Sequence, residues 1–280
     1  MGETRIVYDR KGAGSPIVLL HGLGHRRQAW KKVMKRLAKH HEVIALDLPG
    51  FGKSSGPPTG DPYDLRSLVD TVQLMCAELG LQRPHFAGNS LGGAIALELG
   101  ARGVAASVTA LSPVGFNAVA TRAGFRLLAH SARAAARIPE PVRLAAAGSR
   151  PGRAAARRIL RGDHAAESAQ HIRFDARKLS SDSPFVRLAP IVARYSFAAP
   201  NVPCPVTIAW GDRDRLLPPS GAQRAQRRIP HARQVMLLGC GHIPMADNPR
   251  AVAAEIMQTC RSAREDRTPG ETTHTPALTS

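Results

Sequence analysis

Apolar residues follow one another along the chain in two alternating rhythms. Short unbroken runs, Pro16–Leu20 and Val43–Leu46, read as strands covered on both faces, because a strand with one wet face would alternate. Between them the spacing turns helical. Trp30, Val33, Met34 and Leu37 stand at i, i+3, i+4 and i+7. The cations around them, Lys31, Lys32, Lys35, Arg36 and Lys39, fall on the opposite, solvated face. Leu65, Leu68, Val69, Val72, Met75, Cys76 and Leu79 line one face of a second helix, which Gly80 ends. Further strands are expected at Thr4–Asp9, where alternation suits a sheet edge, and at His85–Ala87, Ser107–Leu111, Pro205–Trp210 and Gln234–Leu238. Further helices are expected at Ala94–Leu99, around Gly221–Arg228, and from Asn248-Pro249, an N-cap followed by proline at the first helical position. In this last helix Val252, Ile256 and Cys260 face the core. Strands alternating with helices predict a parallel α/β sheet.

The rhythm breaks between Gly115 and Pro200. This segment is rich in Arg and Ala, has helical spacing and no convincing strand, and Pro139, Pro141, Pro151, Pro184 and Pro190 divide it into short helices. It reads as an insertion on an α/β body. The expected organisation is a core from 1–114 and 201–262, an insertion over 115–200, and a polar tail, 263–280, expected to be disordered. No internal repeat is visible.

Length and composition narrow the picture little. A chain of 280 residues with 43% hydrophobic and 21% charged residues is ordinary globular material and can bury a core without staples. Its apolar runs are too short to span a bilayer, and Met1–Asp9 has no apolar segment of the signal-peptide kind, so a cytoplasmic protein is expected. Cys76, Cys204, Cys240 and Cys260 are scattered and read as packed thiols rather than metal ligands or a redox pair. Charge is the unusual quantity. The net charge is +18, and between Gly115 and Ser196 fifteen Arg and Lys stand against five Asp and Glu. The plainer reading is Arg-rich composition on solvated helices. The functional one is an attraction of this segment to an anionic membrane surface or to acidic substrates. Nucleic acid is not expected as a partner, because aromatics make up only 4% and no nucleic-acid motif appears.

The candidate chemistry sits at the ends of the predicted strands. Gly88-Asn89-Ser90-Leu91-Gly92 is Gly-x-Ser-x-Gly between a buried strand and a helix, where the serine occupies a tight, strained turn at a helix N-terminus. A serine hydroxyl needs a base. Of 11 histidines, His242 stands out by position, following the last predicted strand in Gly239-Cys-Gly-His-Ile-Pro-Met-Ala-Asp-Asn-Pro249. A base needs an orienting carboxylate, and Trp210-Gly-Asp-Arg-Asp214 offers Asp212 and Asp214.

Taken together, His21-Gly22-Leu23-Gly24, Asp47-Leu-Pro-Gly-Phe-Gly-Lys-Ser54, the Ser90 turn, Trp210–Asp214 and Gly241–Pro249 resemble, in order, five motifs of the α/β-hydrolase superfamily over Thr4 to about Arg261. The resemblance implies an α/β-hydrolase fold: a mostly parallel sheet of about eight strands flanked by helices, with a helical cap inserted after strand 6, here 115–200. It implies Ser90 as nucleophile, His242 as general base and then acid, and Asp214 as the orienting acid, with Asp212 as the fallback. The backbone N–H groups of Leu23 and Leu91 would form the oxyanion hole. Asp47, Ser54 and Asp247 would belong to structural turns, His21 would brace a loop, and Asn89 would point away from the chemistry.

A serine nucleophile argues against dehalogenases and epoxide hydrolases of the superfamily, which use Asp. The elbow resembles that of meta-cleavage C–C hydrolases, but Ile243 stands where those enzymes usually carry Trp. The expected activity is therefore hydrolysis of carboxylic esters, thioesters or lactones through an acyl-enzyme, esterase- or lipase-like, without metal or organic cofactor. C–C hydrolysis, cofactor-free haloperoxidase or perhydrolase activity, and a non-catalytic receptor on the same fold are the alternatives. The expected partner is a small ester-type substrate with an apolar acyl group, received among residues such as Phe116, Phe125, Leu127, Leu128, Phe174, Phe185 and Phe197 of the cap, which otherwise simply pack it.

Overall fold

The computed structural model describes residues 4–58, 60–152, 154 and 183–265. Seven strands form one sheet: β1 (Tyr8–Lys11), β2 (Pro16–Leu20), β3 (Glu42–Leu46), β4 (His85–Asn89), β5 (Ser107–Leu111), β6 (Val206–Gly211) and β7 (Arg233–Leu237). Their order across the sheet is β1-β3-β2-β4-β5-β6-β7, with only β1 antiparallel to its neighbour. Among the described residues the sheet has seven strands, close to the eight or so expected, and the helical insertion follows β5. β4 is central and buried along its whole length, so its residues show no alternation.

Helices cover both faces. On one side lie α2 (Leu65–Glu78), α3 (Leu91–Ala101) and the helices of the insertion. On the other lie a 3₁₀ turn (Arg27–Trp30) and α1 (Lys31–Leu37), together with the last helix of the chain. The expected faces are the buried ones: Trp30, Val33, Met34 and Leu37 in one case, and Leu65, Leu68, Val69, Val72, Met75 and Cys76 in the other. Asp64 caps α2 by accepting from the Ser67 N–H (2.9 Å), while the Ser67 hydroxyl accepts from the Asp64 N–H (3.0 Å).

The insertion contributes α4 (Val119–Ala135), α5 (Glu140–Gly148) and α6 (Pro184–Arg194), with α4 packed along α6. α6 runs straight through Pro190, which was expected to break it. Its buried side, Val186, Leu188, Ala189, Val192 and Ala193, holds the helix where backbone preference alone would not. After β6 come α7 (Ser220–Arg228), α8 (Pro244–Asp247) and α9 (Pro249–Glu265). Asn248 Oδ1 accepts from the Ala251 N–H (3.0 Å), the cap expected there. α9 continues three residues past 262, with Ala263 buried, and the rest of the predicted tail lies outside the described residues.

The two outer strands differ from expectation. Pairing of the first begins only at Tyr8, because Arg5 and Val7 bond instead to the loop carrying Ser54 and Ser55. The Gln234–Leu238 run is apolar but belongs to an edge strand: Met236 is 46% exposed and Leu238 75%. Its hydrophobicity is therefore not a sign of burial on both faces. Among the described residues no helix is long and apolar enough to cross a membrane.

Chain direction across the sheet reverses between β2 and β4, since β3 lies on the far side of β2 and β5 on the far side of β4. Such a switch point opens a crevice at the carboxyl ends of the strands. The loop His21–Gly24 and the turn at Ser90 leave the sheet there.

Candidate active site

Ser90 stands between β4 and α3 with φ +56° and ψ −112°. A non-glycine residue there costs on the order of 1–3 kcal/mol and needs surroundings that hold it. Those surroundings are visible. The Ser90 N–H donates to Leu111 O (2.9 Å), and its carbonyl accepts from the N–H groups of Ala94 (3.1 Å) and Val114 (3.2 Å). The flanking glycines are a steric necessity. A Cβ on Gly88 would meet Gly92 O at 2.1 Å, and one on Gly92 would meet Leu20 O at 2.2 Å.

The turn at the end of β2 passes directly beside this serine. A Cβ on Gly22 would lie 3.2 Å from Ser90 Cβ. His21 braces the turn. Its Nε2 accepts from the Leu48 N–H (2.9 Å), so Nδ1 carries the proton and donates to Gly22 O (2.8 Å). Complete burial drives its pKa down to about 4, outweighing the Gly22 hydrogen bond and the charge of Asp47, which both raise it. His21 is thus a neutral brace between two loops, as expected. Leu91 begins α3, and the first N–H groups of a helix have no partner within it. Leu23 is half-buried in the adjacent turn.

Asp47, Ser54 and Asp247 also hold turns. The Asp47 carboxylate binds the Arg27 guanidinium (2.5 Å) and the Lys53 N–H (2.9 Å), and the Ser54 hydroxyl donates to Asp47 O (2.7 Å). Asp247 Oδ2 accepts from the Gly241 N–H (2.8 Å), on the loop that carries His242.

His242 and Asp214 meet in the core. His242 Nδ1 lies 2.8 Å from Asp214 Oδ2, and both residues are buried. Asp214 Oδ1 accepts from the N–H groups of Leu216 (3.0 Å) and Leu217 (2.8 Å), which fixes the carboxylate's orientation. A carboxylate only accepts, so Nδ1 carries the imidazole proton and Nε2 its lone pair. Asp212 does something else: its Oδ1 accepts from the Cys240 N–H (3.2 Å) and ties the two loops together. Gly211 lets them run close, since a Cβ there would meet Gly241 O at 2.4 Å.

Asn89 is taken up by backbone partners. Its Nδ2 donates to His242 O (3.0 Å) and Leu111 O (3.2 Å), linking the strand that carries Ser90 to the backbone of His242. The sequence held one signal for this. An amide at the end of a fully buried strand must find partners, and those within reach are the neighbouring strand and the loops at the strand end.

α6 lies over these loops. Phe185 Cδ2 would be 3.0 Å from a Cβ on Gly24, and Pro184 Cγ 2.8 Å from one on Gly50. Of the apolar residues expected to line a pocket, Phe116, Phe125 and Phe197 are buried and Phe185 is half-buried. Leu127 points to solvent, 69% exposed, and does not line it. Phe174 and the Leu128 side chain lie outside the described residues. The four thiols are packed, and burial pushes Cys76, Cys240 and Cys260 up to about 12 and Cys204 to about 11.

A serine on a strained strand-to-helix turn, and a His–Asp pair carried on loops after later strands of the same mostly parallel sheet, are features of the α/β-hydrolase class. The chain belongs to the alpha/beta hydrolase family, whose description matches residues 17–255. It is 26% identical over 266 residues to Lipase 1 of Psychrobacter immobilis, covering 87% of this chain and 76% of that one. Among solved structures it resembles an esterase from Exiguobacterium antarcticum (TM-score 0.76, 20% identity, 92% of this chain and 96% of that one). It also resembles a bacterial membrane phospholipase A (TM-score 0.72, 25% identity, 92% and 83%).

Proposed function

We propose that the protein is a serine hydrolase that cleaves carboxylic esters, or the related thioesters and lactones, through an acyl-enzyme. The observation that carries this reading is the buried His242–Asp214 hydrogen bond, joined by Asn89 to the strand that presents Ser90. The relationship to a lipase supports an ester as substrate.

In the first half-reaction Ser90 Oγ attacks the acyl carbonyl carbon while His242 Nε2 takes the hydroxyl proton. Asp214 holds the resulting imidazolium. The tetrahedral oxyanion accepts hydrogen bonds from the Leu23 and Leu91 N–H groups, and loss of one such donor typically costs about 10²–10³ in rate. Collapse breaks the bond to the alcohol, thiol or lactone oxygen, which leaves with the proton from His242. In the second half-reaction His242 takes a proton from water. The hydroxide adds to the acyl-enzyme, and Ser90 departs with that proton, releasing the carboxylic acid. Residues 115–200 act as a cap, with Phe116, Phe185 and Phe197 offering an apolar surface to the acyl chain.

The test is turnover of p-nitrophenyl esters of increasing acyl length. The wild-type protein should hydrolyse them, and Ser90→Ala should lose at least ~10³-fold of kcat. Full activity in Ser90→Ala would remove Ser90 from the mechanism. Absence of ester turnover with an intact nucleophile would redirect the search to C–C bonds and peracids.

A further inference from the structure

The chemistry above makes no use of the outward side of α4. That helix carries three stripes. Phe125 and Ala129 face the α/β body and are buried. Arg122, Arg126, His130 and Arg133 follow at spacings of four, four and three. Val119, Ala123, Leu127 and Ala134 follow at four, four and seven. At 3.6 residues per turn the apolar stripe lies on the far side of the helix from the buried pair, with the basic stripe between them.

Val119 is 83% exposed and Leu127 69%. Ile138, in the turn after α4, is 43% exposed, and Val142, on α5, is 57% exposed. Four of the nine exposed large apolar residues among those described therefore fall within Val119–Val142, a concentration along the chain rather than scatter. The stretch is also one-signed. α4 carries no acid, and from Val119 to Arg150 six arginines stand against Glu140 alone.

We propose that this face of α4, continued by Ile138 and Val142, docks on an anionic lipid bilayer. An amphipathic helix with arginines beside an exposed apolar stripe matches a bilayer surface in both its properties. The guanidinium groups meet lipid phosphates, and the stripe enters the boundary between headgroups and acyl chains. A free polyanion would engage the arginines and leave the stripe in water. A second copy of the chain would set arginines against arginines. α4 packs along α6, whose first residues rest on the Gly24 and Gly50 turns. The docked face thus belongs to the same pair of helices that reaches the Gly24 and Gly50 turns.

The experiment is sedimentation of the full chain with vesicles of phosphatidylcholine alone, or of phosphatidylcholine with phosphatidylglycerol, at low and high salt. Binding should be at least about tenfold tighter to the anionic vesicles and should weaken with salt. Arg126→Gln with Arg133→Gln should weaken it roughly thirtyfold, at the usual contribution of a surface arginine. Leu127→Ser, which leaves the charge alone, should weaken it severalfold. Leu127→Trp should show a blue-shifted emission with anionic vesicles only. Turnover of a water-soluble short-chain ester should stay at wild type in every variant, so docking and hydrolysis stand or fall separately. Equal affinity for both vesicle types, or none for either, overturns the proposal. So does wild-type binding by Leu127→Ser, since charge alone would then explain it.

Discussion

At the scale of single residues, the proposed mechanism rests also on side chains outside the Ser90, His242 and Asp214 set. Asn89 is the clearest case. It joins the backbone of His242 to the end of β4, immediately before Ser90. A displacement of about 1 Å in a reacting group can cost about 10²-fold in rate. Asn89→Leu fills a similar volume without the donor, and it should lower kcat about tenfold to a hundredfold while leaving KM for a soluble ester within about twofold. Asn89→His, which keeps one N–H, should recover part of the loss. An unchanged kcat in Asn89→Leu would show that the loop holds itself. Gly-x-Ser-x-Gly and the glycine-framed His242 marked Ser90 and His242 as candidates in the sequence. The role of Asn89 was not legible there, because the spacing of a motif says nothing of where a neighbouring amide finds its acceptor. The spacing of the two acids did not show that the loop geometry turns Asp214 toward His242 and Asp212 toward the Cys240 N–H.

At the scale of elements, hydrophobic period identified most of the sheet and its helices, and the errors have physical causes. A buried face at i, i+3, i+4, i+7 is hard to mistake, as in α1 and α2. Edge strands are harder, because their apolar residues need not be buried and their ends can pair with loops, as at Arg5–Val7 and Leu238. Pro190 misled in the other direction, since tertiary packing of α6 outweighs the lost backbone bond. Caps were only partly readable. Asn248 was evident ahead of Pro249, but the reciprocal Asp64–Ser67 box on α2 was not singled out. Asp64→Ala removes the acceptor for the Ser67 N–H. It should cost about 1 kcal/mol, lowering Tm by about 2–4 °C in a chain of this size without changing ester turnover. Thermal melts and initial rates read both quantities.

At the scale of the whole molecule, the switch point between β2 and β4 gathers loops that are distant in sequence, and His21 helps hold them in its neutral form. Its folded pKa, lowered to about 4 from an ordinary 6.5, makes the unfolded chain the better proton binder. The stabilisation is therefore fully present above about pH 6.5 and is lost as pH falls toward 4, at up to about 1.4 kcal/mol per unit. Denaturant unfolding followed from pH 7 to pH 5 should show a steeper loss in the wild type than in His21→Asn, and equal slopes would contradict the assignment. The basic excess was legible as a number. Its placement beside an exposed apolar stripe was not, because that depends on which side of α4 meets the body. The central claim remains that Ser90 is a nucleophile activated by His242. It is tested most directly by labelling the full chain with a fluorophosphonate and locating the adduct by peptide mass. The account predicts one adduct on Ser90, absent in Ser90→Ala and formed at least about a hundredfold more slowly in His242→Ala. Labelling elsewhere, or at wild-type rate without His242, would contradict it.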